Sequence, residues 1–369
     1  MNMTSILQEL PGVARAFAIP GSYREGAPCG NGHIHATCRV VFDDGAEYIF
    51  QRLNNNVFKD LPRLMENMAR VTAHVRARLE ARDTPDIRRR VITLVPARDG
   101  GFLHKTGAGA FWRCYHYVGG VRELNVVETP ADARVVARTW GGFLNELATF
   151  PSGVLHETIP DFHNTPKRLA ALERAVARDA CGRAREVAAE LAFARERVAF
   201  ASLATDALAS GELPARVTHN DTKANNILID AHSGEGICVI DLDTCMPGSL
   251  LYDFGDMVRT SVGAVEDEPD LSKVAFRFDL YQALAGGFLE RVAAIMTPAE
   301  LALLHLAGPL MTFECGMRFL TDYLEGDTYF RTSRPGHNLD RCRVQFHLVR
   351  GMEKRAEDMR QLTRALLKK

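Results

Sequence analysis

The spacing of apolar residues divides the chain into a first third of short strands and a remainder dominated by helices. Residues 5–17 show an amphipathic pattern that predicts a short helix, and alternating segments then predict strands up to residue 53. The turn residues at 43–46 predict a hairpin between strands 37–42 and 47–53. The next apolar positions recur every three or four residues and predict a helix of about five turns. These positions are Leu64, Met68, Val71, Val75 and Leu79.

The pattern changes to helices after a strand that ends in paired glycines. Residues 90–96 and 111–118 predict two more strands, and the second runs into Gly119-Gly120, which favours a hinge between two lobes. Thr165-Pro166 predicts an N-cap followed by a proline in the first helical turn. A stretch rich in Ala, Arg and Glu predicts a helix with a solvated face from Arg183 to about Ser210. Further helices are predicted at 131–148, 165–180, 272–292, 298–323 and 341–367.

Composition indicates an ordinary globular chain long enough for two domains. Of 369 residues, 46% are apolar and 25% are charged, and the net charge is −1, so neither nucleic acid nor an anionic membrane is an expected partner. No apolar run approaches the roughly 20 residues that span a bilayer, and no signal peptide is apparent. The eight cysteines are scattered, which favours reduced thiols and a cytoplasmic location and gives no zinc-site spacing.

Residues 217–228 carry polar groups at a spacing typical of phosphoryl transfer from a nucleotide. His219 is followed by Asp221 and then by Asn226, and short strands predicted at 226–229 and 236–242 place Asp241 on the second strand. The reaction needs one carboxylate to orient and deprotonate the acceptor hydroxyl, and an Asn with a second carboxylate to hold magnesium. A polar loop containing turn-forming Asn and Asp is the alternative interpretation.

Asp253-Phe254-Gly255 has the letters of a kinase magnesium motif, but its surroundings favour a structural role. Asp253 follows a Pro-Gly loop and lies much further from Asn226 than Asp241 does. We therefore expect Asp253 and Asp256 to cap a helix or to brace the catalytic loop.

Three segments of the strand-rich part are candidates for nucleotide binding. The turn Gly30-Asn31-Gly32-His33 can present N–H groups to the phosphates of ATP, although Gly-x-Gly is also an ordinary hairpin turn. The strand at 47–53 lacks the lysine that kinases use there, which leaves Gln51 or Arg52 on opposite faces of the strand. Backbone groups at the predicted hinge can pair with adenine, or the segment is simply an edge strand. The hinge residues are Tyr115, His116, Tyr117 and Val118.

Acidic side chains in the helical part leave two further questions open. Glu66 either pairs with a strand residue or is a solvated surface acid. Glu314 and Arg318 are four residues apart and form either a surface pair or part of a site. The polar and aromatic residues 322–330 that follow suit a sugar pocket, but they also suit any loop.

The motif His219-x-Asp221-x4-Asn226 with Ile240-Asp241 resembles the signature of the aminoglycoside phosphotransferase-like kinases. Within that group the chain looks very similar to the bacterial N-acetylhexosamine 1-kinases, from about residue 25 to 360. The segments that carry the resemblance are Gly30-Asn31-Gly32-His33-Ile34, residues 217–228, 240–244 and 246–249, Asp253-Phe254-Gly255-Asp256, residues 314–320 and residues 322–327.

The resemblance implies an α+β, two-lobed, protein-kinase-like fold, with a small antiparallel sheet lobe at 1–118 and a mainly helical lobe at 119–369. It implies transfer of the ATP γ-phosphate to the anomeric hydroxyl of N-acetylglucosamine or N-acetylgalactosamine, in a monomer. By position, Asp221 is the catalytic base and Asn226 and Asp241 bind Mg²⁺. Arg318 and Tyr329 contact the sugar, and His33 lies where sugar and phosphates meet.

Two rival functions remain open. The first is a kinase of another hydroxyl compound, such as an aminoglycoside, whose positive charge would need an acidic pocket. Four carboxylates are available for such a pocket: Glu314, Asp322, Glu325 and Asp327. The second is a non-catalytic nucleotide-binding regulator, which the missing strand lysine suggests and the intact Asp221, Asn226 and Asp241 argue against.

Overall fold

A computed structural model describes residues 3–30, 34–263 and 265–368 of the chain. The chain forms two compact units, each discontinuous in sequence. The N-terminal unit contains Met1–Arg122, Gly153–Ile159 and Leu228–Met246. The C-terminal unit contains Glu123–Ser152, Pro160–Ile227 and Pro247–Lys369. The single boundary expected after residue 118 stays a prediction.

Strands come mainly first and helices mainly later, as the apolar spacing predicts. Within the described residues the strands are β1 (Tyr23–Pro28), β2 (Ala36–Phe42), β3 (Glu47–Arg52), β4 (His104–Lys105), β5 (Phe111–His116), β6 (Val121–Glu123), β7 (Arg216–Thr218), β8 (Ile227–Asp230), β9 (Gly236–Val239) and β10 (Met246–Gly248). The α-helices there are α1 (Met3–Ala14), α2 (Leu61–Glu80), α3 (Ile87–Arg90), α4 (Pro130–Glu146), α5 (Thr165–Arg178), α6 (Ala188–Arg195), α7 (Val198–Ala201), α8 (Leu203–Ala209), α9 (Leu250–Ser261), α10 (Phe278–Val292), α11 (Pro298–Leu324), α12 (His337–Lys354) and α13 (Ala356–Leu366).

The N-terminal unit contains a five-stranded antiparallel sheet in the order β1-β2-β3-β5-β4. The predicted hairpin is confirmed, because β2 and β3 pair in register on either side of the turn. Alternate residues of β2 are buried, since successive side chains of a strand point to opposite faces. Helix α1 packs on the sheet, and their shared core includes Ile6, Leu10, Phe17, Phe50 and Trp112.

Helix α2 confirms the predicted apolar stripe, all five positions of which are buried. Asp60 caps its N-terminus by accepting a hydrogen bond from the Arg63 N–H (3.1 Å). Asn67 donates through Nδ2 to the carbonyls of His156 (2.7 Å) and Cys245 (3.1 Å) and accepts from the His156 N–H (2.9 Å). These bonds join α2 to two segments of the N-terminal unit that are distant in sequence.

The strand predicted at 90–96 is wrong. Arg90 is the last residue of helix α3. The residues after it form only isolated contacts with β5, such as the β-bridge between Leu94 and Tyr115. The Val95 N–H donates to the Cys114 carbonyl (2.9 Å), but Pro96 has no N–H with which to extend the ladder.

Two helix predictions in the C-terminal unit also need correction. The N-cap of α5 is Asn164, whose side chain accepts from the Lys167 N–H (3.2 Å), so that Thr165 is the first helical residue. The long helix expected at 183–210 is broken into a 3₁₀ turn and helices α6, α7 and α8. Arg197 donates from Nη1 to the Phe193 carbonyl (2.9 Å), which satisfies a carbonyl at the end of α6 and favours termination there.

Helix α11 lies at the centre of the C-terminal unit. Its buried face forms one apolar core with α5, α6 and α12, in which Phe193, Phe313 and Phe346 are in ring contact. Thr297 caps α11 and Glu300 completes a capping box, which explains why the helix begins at Pro298. Among the described residues no helix is both long and apolar enough to cross a membrane.

Candidate active site

The segment from His219 to Asn226, here called the catalytic loop, joins β7 to β8 and is braced by Asp253. The Asp253 carboxylate on α9 accepts hydrogen bonds from the backbone N–H groups of His219 (2.8 Å) and Asn220 (2.7 Å). The Thr222 hydroxyl donates to the Asp253 carbonyl (2.6 Å). The expectation that Asp253 braces this loop is confirmed.

Asp253 is itself buried at 1% exposure. Burial raises the pKa of Asp253 to about 7, and the two backbone N–H groups oppose that rise without overcoming it. Two residues further along α9, Gly255 packs against α11 so closely that a Cβ there would lie 2.3 Å from the Ala307 carbonyl oxygen. The residues after Asp253 in this motif therefore serve helix packing.

His219 anchors the catalytic loop in the apolar interior of the C-terminal unit. It is fully buried, and its ring contacts Trp140 (4.6 Å between centroids) and Phe143 (6.2 Å). His219 Nδ1 accepts a hydrogen bond from the Asp221 N–H (3.3 Å), so the enclosed ring helps to orient the loop backbone.

Asp221 contacts two other side chains of the catalytic loop. Lys223 Nζ lies 2.8 Å from Asp221 Oδ1, and Asn226 Nδ2 donates to the Asp221 carbonyl (2.9 Å) and to Oδ2 (3.1 Å). Burial alone would raise the pKa of Asp221, but the Lys223 ammonium outweighs it and lowers the pKa to about 2. Asp221 is therefore an ionised hydrogen-bond acceptor at physiological pH.

Sequence reasoning missed Lys223. Its position two residues after Asp221 was the available signal, because a cation at that spacing in an extended loop is placed on the same side as the carboxylate. The sequence pattern of protein kinases instead points to the strand around Gln51 for a phosphate-binding cation.

The predicted metal ligands fit a hard cation by their chemistry. The Asn226 amide nitrogen is committed to Asp221, which leaves its amide oxygen for a cation, and Mg²⁺ prefers amide and carboxylate oxygens. Asp241, in the N-terminal unit, follows β9 with φ 59° and ψ 51° rather than lying on the strand as expected. The described residues contain no cluster of three or more His, Cys, Asp or Glu side chains able to hold a metal. The predicted ligands, Asn226 and Asp241, would not form such a cluster, because only Asp241 is of these four types.

A buried polar network in the N-terminal unit is centred on Asp243, two residues after Asp241. Arg113 on β5 forms a two-pronged ion pair with Asp243, with Nη2 2.8 Å from Oδ2. His35 Nε2 lies 2.7 Å from the same Oδ2. Arg113 Nε also donates to Gln51 Oε1 (2.8 Å). Burial alone would raise the pKa of Asp243, but Arg113 and His35 hold it well below its usual range.

Several of the predicted nucleotide-binding residues already form hydrogen bonds within the N-terminal unit. The Gln51 amide lies between Arg113 and the Thr37 hydroxyl (3.0 Å), so a contact with phosphate stays a prediction. At the hinge, the His116 N–H donates to the Thr93 carbonyl (3.0 Å) and the Tyr117 N–H to the Glu47 carbonyl (3.1 Å). An adenine contact there also stays a prediction.

The glycine turn is described only in part. Gly30 has a positive φ of 74°, in keeping with a tight turn. Asn31, Gly32 and His33 lie outside the described residues, so the roles expected of them stay predictions.

Arg318 in the C-terminal unit is surrounded by aromatic rings. Its guanidinium carbon lies 5.5 Å from the ring centres of Phe162 and Phe330 and 5.9 Å from that of Tyr329. Tyr329 is 65% exposed, which is unusual for a large ring held in a folded loop. The exposed Tyr329 ring and the partly buried rings of Phe162 and Phe330 beside a guanidinium suit a ligand with both apolar and polar surfaces.

Glu314 does not form the surface pair with Arg318 that its spacing suggests. It is 1% exposed, and it contacts His163 Nδ1 (2.8 Å) and accepts from the Thr165 hydroxyl (2.6 Å). His163 Nε2 in turn lies 2.9 Å from the Asn220 carbonyl of the catalytic loop. Burial opposes both charges, yet each partner stabilises the other, which raises the pKa of His163 and lowers that of Glu314.

The other three carboxylates considered for an acidic pocket also have partners inside the C-terminal unit. Asp322 accepts from the backbone N–H groups of residues 328–330 at 2.7–2.9 Å. Asp327 lies 2.7 Å from Arg183, and Glu325 pairs with Arg178. Asp322 thereby fixes the loop that carries Tyr329.

Comparison with solved structures identifies the fold. A microcompartment-associated aminopropanol kinase is 17% identical, with a TM-score of 0.58 over 97% of this chain and 98% of that one. An aminoglycoside phosphotransferase from Alicyclobacillus acidocaldarius is 13% identical, with a TM-score of 0.60 over 95% of each chain. A spectinomycin phosphotransferase, solved with ADP and spectinomycin, is 12% identical, with a TM-score of 0.57 over 94% and 98%. The fold is the mixed α+β fold of the kinase-like aminoglycoside phosphotransferases, which confirms the predicted fold class.

The sequence itself places the chain more firmly. The profile of the phosphotransferase enzyme family matches residues 25–286, which include the catalytic loop and Asp241. The chain belongs to the phosphotransferase enzyme family.

Proposed function

We propose that the protein is an ATP- and Mg²⁺-dependent kinase that phosphorylates the anomeric hydroxyl of N-acetylglucosamine or N-acetylgalactosamine. The observation that carries the choice of acceptor is the charge around Arg318. The four nearby carboxylates all have partners of their own, whereas Arg318 is surrounded by aromatic rings. A neutral sugar suits this environment better than a polycationic aminoglycoside does.

Arg168 adds to the positive charge of this region. Burial and the nearby Arg318 guanidinium lower the pKa of Arg168, which indicates that the two cations repel each other. A cationic acceptor would add a third positive charge, whereas the carbonyl oxygen of an acetamido group would accept hydrogen bonds from either guanidinium. Tyr329 and Phe330 offer ring faces on which the apolar face of a sugar can stack.

Asp221 is the proposed general base. Its ionised carboxylate accepts the proton of the anomeric hydroxyl while that oxygen forms a bond to the γ-phosphorus, and the bond from the γ-phosphorus to the bridging oxygen of ADP breaks. A carboxylate with a pKa of about 2 is a weak base, but a loose transition state needs little proton transfer before the new bond is advanced. We propose that Lys223, which pairs with Asp221 before the reaction, turns to the transferring phosphoryl group as its negative charge develops.

The cation and nucleotide contacts follow the resemblance. A divalent cation would neutralise phosphate charge, and Asn226 and Asp241 are its proposed ligands. We assign the phosphates to the turn at Gly30–His33 and adenine to the backbone at Tyr115–Val118. Solved relatives carry ADP, or AMP-PNP with Ca²⁺, which supports a nucleotide and a divalent cation as requirements.

A panel of free sugars tests the proposal directly. ADP release would be measured with Mg²⁺ and ATP, and the product examined by NMR. We expect turnover on an N-acetylhexosamine and coupling of phosphorus to the anomeric carbon. Phosphate on the 6-hydroxyl would keep the kinase but overturn the acceptor geometry. Turnover on aminoglycosides alone would favour the rival kinase, and nucleotide binding without turnover on any acceptor would favour a regulator.

A further inference from the structure

The proposed chemistry leaves unused a fully buried ion pair in the N-terminal unit. Arg113 and Asp243 are 1% and 3% exposed, and no step above needs either side chain. A buried ion pair costs desolvation and contributes little net stability compared with an apolar pair of the same size. Asp243 of this pair lies two residues after Asp241, which suggests that the pair has a role other than stability.

We propose that Arg113, Asp243 and His35 are positioning residues that hold the Asp241 carboxylate in place for the divalent cation. The inference rests on the proposed role of Asp241 as a metal ligand. It assigns no contact with substrate or metal to the three residues themselves.

The backbone of Asp241 shows why support is needed. Its φ of 59° and ψ of 51° lie in the left-handed region, which residues other than glycine adopt only uncommonly. Such a conformation persists where its surroundings enforce it. The 3₁₀ turn Leu242–Thr244 follows immediately, and within it the Asp243 side chain binds Arg113 while the Asp243 carbonyl accepts from the Thr158 hydroxyl (2.9 Å). The turn is thus held from two sides.

The network also accounts for the missing strand lysine. In protein kinases a lysine on the third strand pairs with a glutamate of the adjacent helix. Here the corresponding strand carries Gln51, whose amide oxygen accepts from Arg113 Nε on the neighbouring strand. Arg113 then pairs with Asp243 and not with helix α2, whose Glu66 binds His156 (2.7 Å) at a surface position. The buried cation is therefore linked to the segment that carries Asp241.

His35 extends the network toward the start of β2. Its Nδ1 accepts from the Asn54 N–H (3.0 Å), which leaves Nε2 protonated to donate to Asp243 Oδ2 (2.7 Å). Because His35 directly precedes β2, a single imidazole joins the start of that strand to the Asp241 segment.

A double-mutant cycle separates positioning from simple stability. The variants are Arg113→Met, Asp243→Asn and the combination of both, with Arg24→Met as a control that removes a positive charge at an exposed position of β1 on the same sheet. Each is measured by thermal unfolding and by Mn²⁺ binding, followed by electron paramagnetic resonance in the presence of ADP. Each single variant should lower the melting temperature, because it leaves a buried charge unpaired.

The double variant gives the decisive result. We expect it to recover much of the melting temperature but to bind Mn²⁺ at least about tenfold more weakly, the scale seen when residues that orient metal ligands are removed. Arg24→Met should match the wild type in both measurements. Wild-type Mn²⁺ affinity in the double variant would show that the pair is merely structural and would overturn the inference.

Two more variants keep the result interpretable. Asp241→Asn tests the underlying assignment, since unchanged Mn²⁺ binding there would remove the proposed metal ligand itself. Loss in Asp241→Asn without loss in the double variant would overturn positioning alone. If the double variant does not fold, His35→Asn removes one arm of the network, and we expect it to weaken Mn²⁺ binding several-fold. Wild-type affinity in a folded His35→Asn protein would contradict the inference.

Discussion

Two buried aspartates in different units of the molecule do comparable work by opposite means. Asp253 in the C-terminal unit holds the catalytic loop through backbone N–H groups, and burial raises the pKa of its carboxyl to about 7. Asp243 in the N-terminal unit holds the Asp241 segment through Arg113 and His35, which keep its pKa well below the usual range. Neutral dipoles leave a buried carboxyl close to protonation, whereas a guanidinium keeps it ionised.

Removing the carboxylate should have a different consequence in each unit. A carboxylate paired with a cation leaves a second buried charge unpaired when it is removed, whereas one bound to backbone N–H groups leaves only those donors without a partner. The catalytic loop therefore depends on hydrogen-bond geometry, and the Asp241 segment depends on charge balance. The predictions below test these two dependences.

The largest expected effect is at Asp221, the side chain that the braced loop presents. Asp221→Asn should lower kcat by at least about a hundredfold, because the amide cannot accept the hydroxyl proton. The measurement is steady-state ADP release at saturating sugar and ATP. Asp206→Asn, at an exposed position on α8, is the control and should be unaffected. Near-normal turnover in the Asp221 variant would end the assignment of the base.

Lys223 should rank next. Lys223→Met should lower kcat by about tenfold or more, since a cation beside the base is lost from the site where phosphate charge is handled. Lys223→Arg should recover part of the rate, because it restores the charge at a similar reach. Equal rates in the Met and Arg variants would show that the ammonium charge is not what matters.

Arg318 tests the acceptor side of the C-terminal unit. Arg318→Ala should raise the KM for the sugar by roughly tenfold and leave ATP binding unchanged, since we propose that the acceptor binds beside the guanidinium and its aromatic neighbours. Arg174→Ala, on the exposed surface of α5, is the matched control. A parallel loss of nucleotide affinity would contradict the assignment.

The sequence predicted the parts of the molecule that depend on local pattern. Helix α2, the β2–β3 hairpin and the brace at Asp253 follow from apolar spacing, turn residues and motif position. The break of the helix expected at 183–210 depends on a side chain that caps α6, which spacing alone does not reveal.

The polar networks were beyond prediction for a different reason. Arg113 and Asp243 are 130 residues apart, and neither belongs to a periodic pattern. Glu314 had an apparent partner at Arg318, but the actual partner, His163, lies on a distant segment. Such pairings depend on tertiary packing, which single-sequence reasoning does not resolve.

The pH dependence of stability should distinguish the two aspartates. With a pKa raised to about 7 from an unfolded value near 4, Asp253 binds its proton more tightly in the folded protein. Its contribution to the free energy of unfolding is therefore full below about pH 4 and is lost as pH rises through 7, at up to about 1.4 kcal/mol per pH unit. Asp253→Asn should remove this slope. Denaturant melts at pH 5 and pH 8 would check it, and an unchanged slope would contradict the raised pKa.

The smallest effect on activity is expected at Glu66. A small effect there would distinguish this protein from protein kinases, in which the helix glutamate pairs with the buried cation. If the buried cation of the N-terminal unit served helix α2 as in protein kinases, loss of the helix glutamate would impair catalysis. Glu66 is instead 44% exposed beside His156, and exposed ion pairs contribute little to stability because solvent screens them. Glu66→Gln should therefore leave kcat within about twofold and unfolding nearly unchanged. A large loss of activity would mean that α2 takes part in the site through Glu66, and Arg113–Asp243 would no longer account for the missing strand lysine.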